Sequence, residues 1–205
     1  MLTMTLDEFV DLAPQGESSE RRLEKLSPEN WSPRCFSEKA TELQRNAELE
    51  VQVVSDASQL PELGKLAAGR EFRYDHCSYA DCLRRQQDGC RFLVFLALKE
   101  GQVVGYAIAA LEADDSAGIE IIDVADSYQR SSGLKEDLKV QNDTFSVGVG
   151  HVLVVALLRT FHGELKVNAT GSSSRYVFKS LGFVRLPGET NPCLLHKLNA
   201  SIDSV

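Results

Sequence analysis

Gly148 and Gly150, one residue apart and followed at once by His151 and the apolar run Val152 to Leu158, are the residues whose types and spacing most directly suggest chemistry. Glycines at alternate positions let a backbone approach a ligand with no Cβ in the way. A helix that begins there turns its first free N–H groups toward that ligand, and such an N-terminus suits an anion, above all a phosphate. A Gly-x-Gly before a helix also serves as a plain tight turn, so its surroundings have to decide. His76, Cys77, Cys82 and Cys90 cluster in the sequence but contain no C-x-x-C pair, and their spacing predicts no metal site. The five cysteines, Cys35, Cys77, Cys82, Cys90 and Cys193, are odd in number and unpaired in spacing, as reduced thiols are.

The chain that must position these residues has 205 of them, enough for one sizeable domain with an appendage, and its 43% hydrophobic and 25% charged content supports an ordinary core. Asp and Glu number 30 against 22 Lys and Arg, a net charge of -8. No basic run could follow a nucleic-acid backbone, so nucleic acid is not expected as a partner, and the acidic balance favours a cationic substrate. No apolar stretch reaches the length of about 18 residues that a membrane span needs, and the N-terminus lacks the pattern of a signal peptide. The expectation is a soluble cytoplasmic protein without a membrane partner. The polar, serine-containing leader would also suit a bacterial effector exported through a secretion needle.

Residues 1–46, interrupted by Pro14, Pro28 and Pro33, read as a loosely ordered N-terminal extension with one or two short helices, pinned to the domain through Trp31 and Phe36. The domain proper is expected over residues 47–205. LEVQVVS, from Leu49, alternates as a strand, and helices are expected over Leu60 to Ala68 and Ser78 to Gln87. Two apolar strands, Phe92 to Leu98 and Val103 to Leu111, meet at the turn residues Glu100 and Gly101. Ile119 to Val124 reads as a further strand, and Leu138 and Val140 as a short one ahead of the glycine loop. The apolar helix should end near His162 and Gly163. A strand over Glu164 to Ala169, a helix from Ser172–Ser174 to Leu181 stopped by Gly182, and short strands Phe183 to Leu186 and Cys193 to Leu198 complete the chain. Hairpins in the first half and alternation in the second require a mixed sheet in an α/β (α+β) fold.

A hairpin with EGQVVGYA at its turn, a strand leading into VGVGHVLVVALL, a second strand, and a helix ending in FKSLGF resemble, in that order, the GNAT family of N-acetyltransferases. The resemblance covers roughly residues 49–198. It implies a splayed, mixed, mostly antiparallel sheet flanked by helices, with acetyl-CoA as acyl donor and its pyrophosphate held by the amides of the glycine loop. The family's loop pattern, Arg or Gln, two residues, Gly, one residue, Gly or Ala, falls on FSVGVG, with Phe145 in the Arg/Gln place and Gly148 and Gly150 matching. LKVQND then falls where the family has its fourth strand. On this placement the cradle is Val147, Gly148, Val149, Gly150, His151 and Val152, and Val140, Asn168 and Phe178 complete the residues set against the cofactor. A rival loop over residues 129–134, in SYQRSSGLK, would use Gln129 or Arg130 and Gly133. It puts Lys135 in the place of the last small residue, and the LKEDLKVQND that follows is too short and polar to be a buried helix.

The position four residues before Gly182, where the family often has a tyrosine that protonates the departing thiolate, is Phe178 here; Tyr176 lies about 200° round the helix from it. A thiol of pKa about 8.5 leaves without a proton donor. Acylating a primary amine of pKa about 10.4 at pH 7 costs about 4.6 kcal/mol to bare its lone pair, so a base or a desolvated cleft is needed. Candidate carboxylates are Glu120, Asp123, Glu136, Asp137 and Asp143, with Glu120 first and Asp123 beside it. A period of two would put Glu120 and Ile122 on one face and Ile121 and Asp123 on the other. His151, at the helix start, reads as a cap ahead of a base. The implied activity is transfer of an acetyl group to a primary amine of a protein, polyamine or small metabolite. The alternative is a catalytically silent domain that uses CoA structurally or not at all, which Phe145 and Phe178 favour.

Overall fold

The computed structural model of the chain describes residues 32–55, 84–125, 128, 140, 141 and 146–198. Helix α1 (Pro33–Asn46) opens the described part. Its N-cap Ser32 accepts a hydrogen bond from the Cys35 amide at 3.1 Å, and Pro33 occupies the first helical position, where a missing N–H costs nothing. Phe36, Ala40 and Leu43, spaced along one helical stripe, are each only 1% exposed. Residues 33–46 thus form a short helix within the expected N-terminal extension, with Phe36 buried in the domain core. Pro33 starts this helix, and the three apolar positions are the ones that face inward. Trp31 lies outside the described residues.

The main sheet has six strands: β1 (Glu50–Val54), β2 (Phe92–Lys99), β3 (Gln102–Leu111), β4 (Ala117–Val124), β7 (Glu164–Asn168) and β8 (Leu194–Leu198), in that spatial order. Every neighbouring pair is antiparallel except β4 and β7, so the sheet is mixed and mostly antiparallel as expected. The β2–β3 hairpin turns at Glu100 and Gly101, whose φ values of 52° and 75° suit the tight turn that matches strand twist. Of the expected helices, residues 84–87 are helical and the remainder of Ser78 to Gln87 and all of Leu60 to Ala68 lie outside the described residues. Phe183 to Leu186 is not a strand but a single bridge, Val184 to His196.

Two short strands, β5 (Val140–Gln141) and β6 (Ser146–Val147), pair only with each other. The segment LKVQND is thus not the fourth strand of the sheet. Ala117–Val124 takes that place as a strand of its own, paired with β3 on one side and β7 on the other. Eight residues alternating buried and half-buried fill a central position better than a two-residue polar pairing does. The insertion consequently falls after β4, between it and the glycine loop, and not between the hairpin and β4.

Helix α2 (Val149–Thr160) is apolar nearly all round and buried between the sheet and α1, and α3 (Ser172–Ser180) packs beside it. No helix among the described residues is long and apolar enough to cross a membrane. The depth of α2 is set at Gly105 on β3, where an added Cβ would lie 3.0 Å from Val149 Cγ1, 3.2 Å from the Asp123 carbonyl and 3.3 Å from Leu153 Cδ1. On the opposite face the sheet is apolar over β2 to β4, and charged over β7 and β8. There His196 Nδ1–H donates to Glu164 Oε1 at 2.8 Å, and Lys166 bridges Glu112 at 2.9 Å and Glu164 at 3.5 Å. Burial alone would raise the Glu164 carboxyl, but the His196 hydrogen bond and the Lys166 charge outweigh it and hold it below its ordinary value.

Two outcomes follow from this packing. Gly105→Val should destabilise the protein by about 2 kcal/mol or more, because one of its clashes is with backbone; denaturation by urea measures it, and an unchanged midpoint would refute the close approach. A carboxyl whose folded pKa is depressed contributes stability that is present at neutral pH and lost as pH falls through the acid range. Glu164→Gln should therefore lower stability at pH 7 and flatten its fall between about pH 5 and pH 3, as read from thermal midpoints across that range.

Candidate functional site

The parallel strands β4 and β7 pair only from Ala117 to Ile119 against Leu165 to Val167. Beyond that point β4 runs on to Val124, and no β7 partner accompanies it. The parallel ladder thus covers only the first three residues of β4, and β7 itself ends at Asn168. β4 is itself irregular at this point. The register with β3 passes from Ile108–Ile121 to Ala109–Ile119, so Glu120 is an extra residue, a β-bulge that bends the strand.

The bulge also corrects the expected faces. Ile119 and Ile122, three residues apart, both join the core under α2, whereas Ile121 joins the apolar cluster on the opposite face. Asp123 stands directly across from Tyr106, which belongs to that opposite cluster, so its side chain lies on the same face. Glu120 Oε1 accepts from Arg85 Nη1 at 2.6 Å, and the Arg85 guanidinium lies 5.7 Å over the Phe92 ring, again in the opposite cluster. Strict alternation would have separated Glu120 from Asp123; the extra residue gathers both carboxylates on one side. Asp123 is 5% exposed and its Oδ1 accepts from the Val124 amide.

Beside the end of β4 sits the N-terminus of α2. Gly148 is its N-cap, with extended backbone (φ -143°, ψ -173°), and a Cβ there would meet nothing within 4 Å. A Cβ on Gly150 would come 3.7 Å from Val177 of α3 and 4.0 Å from Val124 at the end of β4. The loop, α3 and the distal half of β4 therefore meet at this glycine. Not every amide of the expected cradle is open. The His151 and Val152 amides donate to the Gly148 carbonyl at 2.9 and 3.4 Å, and the Gly148 amide donates to His151 Nδ1 at 3.3 Å. Val149 and Gly150 are left, and among the described residues their amides meet no acceptor. Gly150 has no side chain, and that of Val149 is buried, as are those of Val147 and Val152.

The remaining expected residues scatter. Val140 pairs with Val147 in the small hairpin just ahead of the loop. Asn168 ends β7 and is exposed. Phe178 is 2% exposed and packs edge-on against Phe183 at 5.1 Å, inside the core. Tyr176 packs against His151 and Phe36. Arg85, Gly105, Ser180 and Phe36 were not singled out for the site from sequence. Only the bare spacing of Gly105 in a strand, which marks a close approach, could have signalled one of them. Residues 129–134, the rival loop, lie outside the described residues.

No protein-family model matches the chain, and no curated protein matches it. Among solved structures, a GNAT family N-acetyltransferase (YhbS) from Escherichia coli in complex with CoA is similar with a TM-score of 0.49 and 16% identity, over 72% of this chain and 79% of that one. An acetyltransferase from Thermus thermophilus gives 0.46 and 16% over 72% and 94%. The PaiA N-acetyltransferase from Thermoplasma acidophilum in complex with coenzyme A gives 0.45 and 13% over 73% and 98%.

Proposed function

We propose that the protein is an acetyl-CoA-dependent N-acetyltransferase acting on a primary amine. The observation that carries this reading is the N-terminus of α2 beside the end of β4 that β7 does not pair, where the amides of Val149 and Gly150 meet no acceptor among the described residues. An elongated donor with a pyrophosphate near one end fits it: the anion meets the helix N-terminus, and the rest of the donor lies along the strand edge that β7 leaves open. Acetyl-CoA supplies an activated acyl group. The Val149 and Gly150 amides bind and orient it.

The acceptor amine must lose a proton as the N–C bond forms and the C–S bond breaks. The carboxylate face of β4 is where that proton can go. Glu120 has one oxygen committed to Arg85, while Asp123 stands nearer the end of the strand that Val124 brings against Gly150. Asp123 takes the role of base in this proposal, and Glu120 with Arg85 holds the bulge. The protein's net charge of -8 favours a cationic acceptor such as a lysine-like or polyamine amine. A second reading, binding of CoA without turnover, is favoured by Phe178: buried against Phe183, it leaves that position without a proton donor for the thiolate.

Gly148→Glu meets open space, so the fold should be kept while the carboxylate occupies the anion seat. Calorimetry should show CoA binding abolished with the thermal midpoint unchanged or raised, and undiminished binding would refute the placement. Turnover of acetyl-CoA against a panel of primary amines separates the two readings. If the first holds, Asp123→Asn should lower kcat by about 10² or more, and Glu120→Gln by less. Binding without turnover across the panel would establish the second.

A further inference from the structure

His151 is almost wholly enclosed, 3% exposed, yet every polar atom of its ring has a defined neighbour. Its Nδ1 lies 3.3 Å from the Gly148 nitrogen, which can only donate. Nδ1 is therefore the acceptor, and the ring proton sits on Nε2. Nε2–H is 3.1 Å from Ser180 Oγ, and the Ser180 hydroxyl in turn donates to the Val177 carbonyl at 2.8 Å. The directions agree from end to end: Gly148 N–H to Nδ1, Nε2–H to Oγ, O–H to carbonyl. Aromatic contacts fix the plane of the ring. Phe36 of α1 stacks on it at 5.9 Å and 14°, and Tyr176 of α3 meets it edge-on at 5.7 Å.

This is half of a capping box, with histidine in the place where glutamate or glutamine commonly reaches back to the N-cap amide. Gly148 has no side chain to return the bond. Without His151 the cap would be missing altogether, and the first turn of α2 would be held only by the Gly148 carbonyl.

We infer that His151 is a positioning residue for the anion seat: as the Nε2–H tautomer it takes up the Gly148 amide, fixes the first turn of α2, and so determines that Val149 and Gly150 are the amides presented to the ligand. Ser180 and Phe36 act through it. The relay ties α3, whose Val177 borders Gly150, to the same turn, so the two helices that flank the seat are held in one arrangement. The part about the ligand rests on the proposed CoA binding; the part about the ring and the Gly148 amide stands without it.

The test uses the full chain and two kinds of measurement. Amide hydrogen exchange at Gly148 needs no ligand. It should be slow in the wild type, faster in His151→Leu, and restored by His151→Gln, whose side chain can accept from the N-cap amide. Ser180→Ala, which removes only a hydroxyl, should also speed it, and serves if His151→Leu fails to fold. Nitrogen spectra of the histidine ring should show the proton on Nε2. Calorimetry with CoA should then show His151→Leu binding roughly fivefold more weakly, the worth of about one cap, with His151→Gln recovering most of it. Equal exchange at Gly148 in all four proteins, or a proton on Nδ1, overturns the inference outright. Unchanged or tighter CoA binding by His151→Leu overturns it too, because the imidazole would then be competing for the amide and not ordering the turn. Failure of the wild type itself to bind CoA counts against the proposed function, while the exchange result still decides on His151.

Discussion

The site depends on how closely α2 can lie against the sheet. At Gly105 the helix comes so near β3 that a single methyl group would crowd Val149, Leu153 and a backbone carbonyl at once. That contact sets the height at which the helix begins, and with it the position of the Val149 and Gly150 amides. An anion seat made of main-chain donors has no side chain to adjust. Its geometry is the geometry of the packing beneath it.

The bulge at Glu120 is the second determinant. It lies just past the last residue of β4 that pairs with β7, and it shifts the alternation so that Glu120 and Asp123 share a face. One inserted residue thereby accounts for the placement of both carboxylates on one side of the strand. The N-terminal helix joins the same construction from the other side. Through Phe36 it covers His151, and through Thr41, which accepts from Arg159 at 2.7 Å, it is fastened to the far end of α2.

Much of the fold was legible in the residues. The β2–β3 hairpin, the apolar helix after the glycines, the strand over 164–168 and the helix before Gly182 all carry periodicity or punctuation that acts over a few residues, and local energetics place them where the sequence does. The misplacements have physical reasons. LKVQND resembled a central strand because it precedes the glycine loop, but two paired residues cannot compete with the eight of Ala117–Val124 for a place between β3 and β7. Phe183 to Leu186 had the composition of a strand and found only one bridging partner, at His196. Pro33 reads as an interruption in a polar leader, although beside Ser32 it is equally a helix start.

The site divides along the same line. Sequence alone determined that an amide-rich helix N-terminus follows Gly148 and that Glu120 and Asp123 lie close together on a strand, since both depend only on neighbouring residues. It could not determine which amides stay open, which face the carboxylates occupy, or what surrounds His151. Those were decided by contacts between elements remote in the chain: β3 against β4, α1 against α2, and Ser180 against the helix before it. A hydrogen bond or a bulge exists only once its partner has been brought to it, and that happens in the folded state.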